Sequence, residues 1–188
     1  YSDDITYFKD DEKIISKNNS KGIINGIKIV SKDFYFDKNK NILNAIGNVR
    51  IEDSIENYIV LSDEITYFKN EDKIITKGKT KSIIQSKYDF DSYDVTLDRK
   101  LKKLISNKDS TIVDDNSNLY KLSKFVYSYD TKFLKGEDLE VKTNYLSKKS
   151  DKYYFSSAFI NFENSSFVSK DTNILFNSSL FDKERNPE

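Results

Sequence analysis

This chain repeats a phrase about every thirty residues, and two copies of the phrase are nearly identical. Residues 2–24 read SDDITYFKDDEKIISKNNSKGII and residues 62–84 read SDEITYFKNEDKIITKGKTKSII, with fourteen of twenty-three positions identical and no gap. A period of this length indicates one supersecondary unit that stacks on its neighbours. Such a unit buries its apolar side chains only against adjacent units, so we expect one continuous core along the chain. Weaker copies begin at Ser31, Ser92, Ser123 and Ser157.

The pattern inside each copy predicts β-strands. Apolar residues fall two positions apart, as Ile65 and Tyr67 do, and side chains two apart share one face of an extended strand. Polar stretches such as KDDEK and KNEDK follow, which are typical of hairpin turns, and a second alternating run comes after them. No window keeps the spacing i, i+3, i+4 and i+7 of an amphipathic helix. The sequence predicts an all-β fold of about 16 strands, at roughly ten residues per strand with its turn.

One face of these strands is expected to be apolar and concave. Periodicity fits two interpretations of that face: ordinary core packing, or a groove lined by its side chains. The copy at Ser123 places Phe125, Tyr127 and Tyr129 on the opposite parity, which predicts a bulge or register shift there. The residues expected to face outward are Thr6, Thr66, Thr96 and Asn161. The residues expected to line the concave face are Ile5, Tyr7, Ile14, Phe34, Phe36, Leu43, Ile65, Tyr67, Ile74, Val95, Leu97, Leu104, Ile160 and Phe162.

The composition removes most catalytic chemistry. The chain has no His and no Cys, so the common general bases and thiol nucleophiles are absent. Most acidic residues fall in predicted turns, and solvated turns explain them better than a glycosidase-type carboxylate pair. We expect no enzyme activity, no cofactor and no metal, although Asp89, Asp91 and Asp94 carry the oxygen ligands that Ca²⁺ takes. The basic run from Arg99 to Lys103 is interpreted as a solvent-facing hairpin tip rather than a phosphate site.

Charge balance and the end of the chain bear on partners and domains. The 31 Lys and Arg residues balance 31 Asp and Glu residues, so we expect no nucleic-acid partner. The sequence has no run of about 18 apolar residues that would predict a membrane-spanning helix. Residues 1–176 are expected to form one domain. Residues 177–188, which hold the only Pro, are expected to be a linker toward a following domain absent from this sequence.

The repeated phrase resembles the OstA-type repeat of lipopolysaccharide transport proteins. The clearest match is SDEITY at residues 62–67, followed by Ile74, Ile75 and Gly78. A second match is SKDFYF at residues 31–36, followed by AIGNVRI. The likeness covers nearly the whole chain through short, degenerate motifs. The closing segment LFDKERNP is similar to the approach to the Asn-(Asp)-Pro-Arg segment that precedes the barrel in LptD-type outer-membrane assembly proteins, although many of those carry Cys and this chain has none.

The resemblance implies a fold, a function and partners. The fold would be a twisted, incomplete β-jelly roll (β-taco) that works in the periplasm, binds lipopolysaccharide in an apolar groove and passes it toward the outer membrane. The resemblance favours the periplasmic domain of an LptD-type protein, attached to the outer membrane through a missing C-terminal barrel, with an LptA-type bridge protein as the second choice. Its partners would be lipopolysaccharide, an LptA-type bridge protein joined head to tail by strand addition at the N-terminal edge, and the outer-membrane barrel with its lipoprotein plug on the C-terminal side.

Two other classes of protein fit the repeat. One is a structural β-solenoid or adhesin-like repeat protein with a filled core and no ligand. The other is a carbohydrate-active enzyme on a β-solenoid, against which the absence of His and the position of the acids in turns both count. Lipid binding separates the conduit from the filled solenoid, because only a conduit has an apolar surface that an acyl chain can reach.

Overall fold

The computed structural model describes residues 1–147, 150–164 and 166–175, and the predicted linker at 177–188 lies outside them. All regular secondary structure in the described residues is β-strand, which confirms the all-β class, and seventeen strands form where about 16 were expected. The strands are β1 (Asp4–Phe8), β2 (Lys13–Lys17), β3 (Ser20–Ile24), β4 (Ile27–Ser31), β5 (Asp33–Asp37), β6 (Ile42–Asp53), β7 (Tyr58–Phe68), β8 (Lys73–Ile84), β9 (Tyr88–Tyr93), β10 (Thr96–Asp98), β11 (Lys103–Ser106), β12 (Ser110–Val113), β13 (Leu119–Leu122), β14 (Lys124–Ser128), β15 (Phe133–Lys142), β16 (Lys152–Asn161) and β17 (Ser166–Leu175).

Long strands connect two layers of shorter ones. Near its start, at residues 73–75, β8 pairs with β10, and over residues 79–84 it pairs with β9. The long strand β15 does the same, pairing with β14 at residues 133–137 and with β13 at residues 140–142. We call the layer that contains β1, β2, β5, β10, β11 and β14 the first layer. The layer that contains β3, β4, β9, β12 and β13 is the second layer, and all pairings among the described strands are antiparallel.

Eight strands close a ring. Pairing runs from β8 through β9, β12, β13, β15, β14, β11 and β10 back to β8. Strands β1 to β7 continue the sheet outside this ring on one side, and β16 and β17 continue it on the other. The core lies between the layers: the ring of Phe90 in the second layer lies 5.0 Å from the Tyr127 ring and 5.4 Å from the Phe125 ring of the first.

The chain passes from layer to layer at a bend. In β6 the register shifts between Ile46 and Val49, where Gly47 and Asn48 have positive φ angles of 83° and 51°. This left-handed conformation costs Gly nothing and is tolerated by Asn, which explains a Gly-Asn pair at this point. The alternating run LNAIGNVRI thus continues through the bend, with Leu43 and Ala45 buried before it and Val49 and Ile51 buried after it, while Ile46 is exposed.

The serine that opens each copy of the phrase lies at this bend. The Ser31 hydroxyl donates to the Asp33 carbonyl at 2.9 Å, and the buried hydroxyls of Ser92 and Ser110 lie 2.7 Å apart. Backbone groups that leave the strand ladder need other partners, and Ser hydroxyls supply them locally. The recurring Ser is therefore a structural residue of the bend.

The two near-identical copies fold into hairpins of the same register. Thr6 lies opposite Ile15 in one hairpin, and Thr66 lies opposite Ile75 in the other. Each hairpin turns within the polar stretch predicted for it, KDDEK or KNEDK. In both turns the fourth residue, Glu12 or Asp72, has a positive φ of 52° or 53°, so equal sequences adopt an equal backbone.

The copy at Ser123 has the opposite parity because it lacks one residue at the bend. Strand β7 shifts register between Ser62 and Glu64, whereas β14 pairs without a shift from Lys124 onward. Phe125 consequently takes the interior position that Ile65 occupies in its own copy, and both are buried. The bulge or register shift predicted for this copy is therefore absent from the described residues of β14, and the opposite parity arises because the copy lacks the bulge residue that β7 carries.

Candidate functional site

A continuous row of side chains crosses the first layer at right angles to its strands. Each member lies directly opposite the next in the strand pairing, with one residue on each of eleven strands. All eleven are apolar or aromatic, so the row is unbroken from the edge strand β1 to β16. We call this set the interior row. Its members are Tyr7, Ile14, Phe36, Leu43, Tyr67, Ile74, Leu97, Leu104, Tyr127, Leu134 and Ile160.

A second row in the other layer faces the interior row. These residues were not among those predicted to line the site, although they lie in or beside the second alternating run of their copies. Eight members are apolar or aromatic, and Ser82 is the single polar one. They are Ile29, Ile51, Val60, Ser82, Phe90, Ile112, Tyr120, Val141 and Tyr153.

The structure brings most of the predicted lining residues together. Ile14, Phe36 and Phe162 are half-buried. Ile5 and Tyr7 lie on the edge strand β1 and are 57% and 46% exposed. Tyr127 and Leu134 belong to the interior row but were missed, because the parity of their copy hid them. The buried predicted residues are Phe34, Leu43, Ile65, Tyr67, Ile74, Val95, Leu97, Leu104 and Ile160.

Strand alternation decides which residues face the interior. Tyr67 is fully buried, while its neighbour Thr66 is half-buried and donates a hydrogen bond to the Asn44 side chain at 2.8 Å. Thr96 and Asn161 are also half-buried, and Thr6 is exposed. One position along a strand therefore moves a side chain from the space between the layers to the outer surface.

Between the layers, the central part of the molecule is filled by the protein's own side chains. The ring of Tyr58 in the second layer lies 5.9 Å from that of Tyr129 in the first, and Leu97 and Leu104 of the interior row are fully buried. Toward β16 the layers leave a cavity of about 220 Å³, which Ile160 and other residues line. The interior row is thus covered in the middle and partly open near this end.

A buried arginine holds the two layers together on the side opposite the bend. Arg99, at the turn after β10, donates from Nη1 to the Asp72 carboxylate at 2.6 Å and from Nη2 to the Asp53 carboxylate at 3.1 Å. Its Nε donates to the Tyr58 hydroxyl at 2.9 Å. Asp72 belongs to a turn of the first layer, whereas Asp53 and Tyr58 flank a turn of the second. Arg99 therefore joins turns of both layers.

Tyr67 extends this cluster into the interior row. Its hydroxyl donates to the Asp72 carboxylate at 2.7 Å and accepts from the Asn25 side-chain amide at 2.9 Å. Asn25 lies in a second-layer turn, and its carbonyl also accepts from Arg99 at 3.1 Å. We call the set of Arg99, Asp53, Asp72, Tyr58, Tyr67 and Asn25 the Arg99 clasp.

Two contacts flank the clasp and also join the layers. Lys102 forms an ion pair with Glu56 at 2.9 Å, and the Gln85 side-chain amide donates to the Tyr129 carbonyl at 3.1 Å. The side chains of the Lys102 pair are partly exposed to solvent, so the pair contributes little to stability. The strength of this seam therefore comes mainly from the buried Arg99.

Burial and hydrogen bonding shift the pKa values of the clasp. Burial of Asp53 would raise its pKa, but hydrogen bonds from the Glu56 amide and the Arg99 guanidinium lower that pKa below its ordinary value. Burial, assisted by the hydrogen bond to Asp72, raises the pKa of the Tyr67 hydroxyl to about 12. At neutral pH Asp53 is therefore ionised and Tyr67 protonated, which are the forms that their hydrogen bonds require.

The interpretation of the basic run as a solvent-facing tip is wrong for its first residue. The Arg99 side chain is only 12% exposed and sits between two carboxylates. Lys100 donates to the Asn70 carbonyl at 2.8 Å, as a residue of an exposed turn does. The local sequence could not predict the burial of Arg99, because one of its partners, Asp53, comes from a distant part of the chain and is itself only 3% exposed.

Other kinds of site have little support. Asp89, Asp91 and Asp94 do not form a metal-binding group, and no group of three or more His, Cys, Asp or Glu side chains in the described ranges could hold a metal ion. No helix long and apolar enough to cross a membrane occurs in the part of the chain that the structure describes. No protein-family model matches this chain, and no curated protein matches its sequence. The candidate site of this all-β chain is thus the space between the two apolar rows, closed on one side by the Arg99 clasp.

Proposed function

We propose that this chain is a periplasmic lipopolysaccharide-binding conduit of the OstA type, which shields acyl chains between its layers and passes the lipid toward the outer membrane. The finer fold would be a twisted, incomplete β-jelly roll whose units of about thirty residues each add members to the rows. The observation that carries the proposal is the unbroken interior row, from Tyr7 on the edge strand to Ile160.

The spacing of the row suits a sliding lipid. Each buried CH₂ group of an acyl chain gains about 0.8 kcal/mol on leaving water, so an acyl chain of a dozen carbons needs continuous cover. Apolar positions repeated on successive strands offer similar burial at every step. A lipid can then advance without a position that binds it much more tightly than the next.

Acyl chains would enter by separation of the layers at the clasp side. At the bend the layers are joined by continuous backbone through β6, β7, β8, β15 and β16. On the opposite side, side-chain contacts such as those of Arg99 hold the turns together. Opening there exposes both rows and leaves the strand pairing intact.

The strand edges fit the proposed partners. Among the described strands, β1 pairs only with β2, and β17 pairs only with β16. β1 exposes Ile5, Tyr7 and Phe8 beside its free edge, which suits strand addition by an LptA-type bridge protein. Thr6→Pro would disturb that pairing, because the hydrogen bond of Asp3 to Asn18 and the register of β1 with β2 direct the Thr6 amide toward the free edge. It is expected to weaken co-assembly with an LptA-type protein while the thermal unfolding temperature changes little. The proposed neighbours on the C-terminal side are the outer-membrane barrel and its lipoprotein plug.

A photo-crosslinking experiment tests the conduit. Phe36 and Tyr35 are adjacent aromatic residues of β5, and Phe36 belongs to the interior row while Tyr35 is exposed on the other face. Both positions hold an aromatic residue, so replacing either one with the crosslinker benzoylphenylalanine is a conservative change. The two variants then differ mainly in the face of β5 from which the crosslinker points. With purified lipopolysaccharide, we expect a crosslink from position 36 and none from position 35. Equal crosslinking at both positions, or binding without any crosslink at 36, would reject the conduit.

The filled centre favours a second candidate, a structural repeat protein without a ligand. Tyr67, Ile74, Leu97 and Leu104 are fully buried by the protein itself. In a permanently filled core, Ile65→Asp should unfold the chain outright, and no interior position should capture lipid. In a conduit that opens, the same variant should remain folded but lose lipid crosslinking. Circular dichroism of the variant, run beside the crosslinking assay, distinguishes the two.

A further inference from the structure

A small cavity lies between the layers near the C-terminal end of the described chain, away from the Arg99 clasp. Its volume is about 220 Å³, below the roughly 300–1,000 Å³ of sites that take drug-sized ligands. It therefore suits a small chemical group rather than a folded lipid chain. Four aromatic residues contribute to its lining: Tyr88, Tyr120, Tyr153 and Phe162.

The aromatic residues are packed into a fixed arrangement. The Phe162 ring stacks on the Tyr88 ring at 4.9 Å and meets the Tyr120 ring edge to face at 5.3 Å. Tyr88 and Tyr120 are buried, and Tyr127 contacts both Tyr88 and Phe162 from the core side. This packing holds three of the four aromatic lining residues in place, so the cavity is preformed.

Carboxylates supply the charge at the cavity. Asp114 is buried and accepts four hydrogen bonds, from the backbone amides of Asn116 and Asn118, the Asn118 side chain and the Tyr120 hydroxyl. Its charge is fixed beside the aromatic residues by these donors. Asp115 also lines the cavity and is partly exposed, with Lys87 3.7 Å away.

The charges around the cavity sum to a negative environment. Its described lining contains two Asp residues and no Lys or Arg. Burial chiefly raises the pKa of Tyr88, and the charges of Asp115, Asp114 and Glu163 raise it further. Two lysines lie nearby, Lys87 beside Asp115 and Lys132 beside Glu163, and each forms an ion pair that is partly exposed to solvent, so the two Asp, Glu163 and the two Lys leave a net negative charge. An anion would be repelled here, whereas a cation would be attracted.

We propose that this cavity binds an organic cation of the alkylammonium type, through its aromatic lining and the carboxylates of Asp114 and Asp115. Aromatic cages recognise quaternary and methylated ammonium groups because the ring face is electrostatically negative and the weakly hydrated cation loses little on leaving water. The cavity lies at the β16 end of the space between the two rows, where Ile160 of the interior row also lines it. The proposal does not depend on the conduit, because the cation would be held by aromatic rings and carboxylates rather than by burial of an acyl chain.

Choline and 3,3-dimethylbutan-1-ol form a matched pair of probes for this site. They have the same shape, but only choline is charged. Isothermal titration of the full chain with each is expected to show binding of choline and at least tenfold weaker binding of the alcohol. A short-chain phosphatidylcholine below its micelle concentration then separates the sources. Binding of both compounds assigns the site to a lipid headgroup, and binding of choline alone assigns it to a free alkylammonium ion.

Two variants locate the binding. Tyr153→Leu removes a half-buried ring of the cavity and should weaken choline binding about 2- to 30-fold, the range that corresponds to a cation–π contact. Asp115→Asn, a substitution at the surface, should also weaken choline binding. The difference in affinity from the wild-type chain should grow as the salt concentration is lowered, because the attraction that is lost is electrostatic. Tyr93→Leu, on the exposed outer face, is the control and should bind choline normally.

Three outcomes overturn the proposal. Equal affinity for choline and the neutral alcohol would mean a purely apolar cavity. Unchanged choline affinity in folded Tyr153→Leu would place the binding elsewhere. Absence of any choline binding at low salt would exclude the site. Two-dimensional NMR of the aromatic signals is the control that tests whether each variant retains the wild-type fold.

Discussion

Arg99 forms a buried ion pair with Asp53, a residue 46 positions earlier in the chain and in the opposite layer, at 3.1 Å. The pair shares its guanidinium with Asp72, at 2.6 Å, so one cation serves two carboxylates from two turns. A buried charge that loses its partner is costly. Removal of Arg99 would leave both acids without a cation, although Asp53 keeps hydrogen bonds from the Ile55 and Glu56 amides and Asp72 keeps one from the Tyr67 hydroxyl.

Replacement of Arg99 is therefore expected to destabilise the fold strongly. Arg99→Met keeps most of the side-chain volume but leaves Asp53 and Asp72 without a cation. We expect a loss of about 3–5 kcal/mol in the free energy of unfolding. The matched control is Arg50→Met, because Arg50 pairs with Glu52 at the surface at 3.5 Å. That change should cost about 1 kcal/mol or less. Urea denaturation measures both, and similar losses for the two variants would contradict the role of the clasp.

Acid should weaken the clasp through Asp53. The pKa of Asp53 is lower in the folded protein than its ordinary value of 3.8, so the unfolded chain takes up this proton first as the pH falls. The contribution of Asp53 is fully present above pH 3.8 and is lost as the pH falls through the folded pKa. Asp53→Asn should flatten this part of a stability–pH curve measured by urea denaturation, and the exposed Asp63→Asn should not. A curve of the same slope in Asp53→Asn would exclude Asp53 as the cause.

Alkali should weaken the same cluster through Tyr67. Its pKa is about 12 in the folded protein against 10.0 in the unfolded chain. The stabilising contribution is therefore complete below pH 10 and declines as the pH rises toward 12, because the unfolded chain ionises first. Tyr67→Phe should reduce this loss, measured by denaturant unfolding between pH 9 and 11, and should lower stability at pH 7 by the loss of two hydrogen bonds, about 1–3 kcal/mol. An unchanged alkaline slope in Tyr67→Phe would contradict the assignment.

The bend in β6 should tolerate no side chain at Gly47. A Cβ at this residue would lie 2.9 Å from Lys32 Cβ, and the φ angle of +83° is itself strained for any residue with a side chain. Gly78 has a similar φ of +79° but open space around it. Gly78→Ala should cost about 1–2 kcal/mol for the backbone alone, and Gly47→Ala should cost more. Thermal unfolding of the two variants measures the difference between their losses of stability. Equal losses would show that the Lys32 side chain moves aside at little cost.

Local features of the sequence determined the strands, turns and inward faces. Alternation over five or six residues places Ile65 and Tyr67 on one side of a strand whatever its neighbours are, because the pleat has a period of two. The polar stretches KDDEK and KNEDK likewise form hairpin turns at the positions where the local sequence predicts them. The predicted inward face does not fit the copy at Ser123, which is one residue shorter at the bend. Alternation is interrupted at the bend, so the sequence alone does not give the register there.

The tertiary structure decided everything that depends on residues far apart in the chain. Arg99 lies in a run that resembles a solvated tip, and its burial depends on Asp53 and on the Asn25 carbonyl, 46 and 74 positions away. The same holds for the cavity, which needs Tyr88 and Phe162 to stack across the two layers. Alternation states that a side chain points inward, but the distance to the opposite layer sets whether it meets a partner, a cavity or solvent. That distance is fixed only when both layers are assembled.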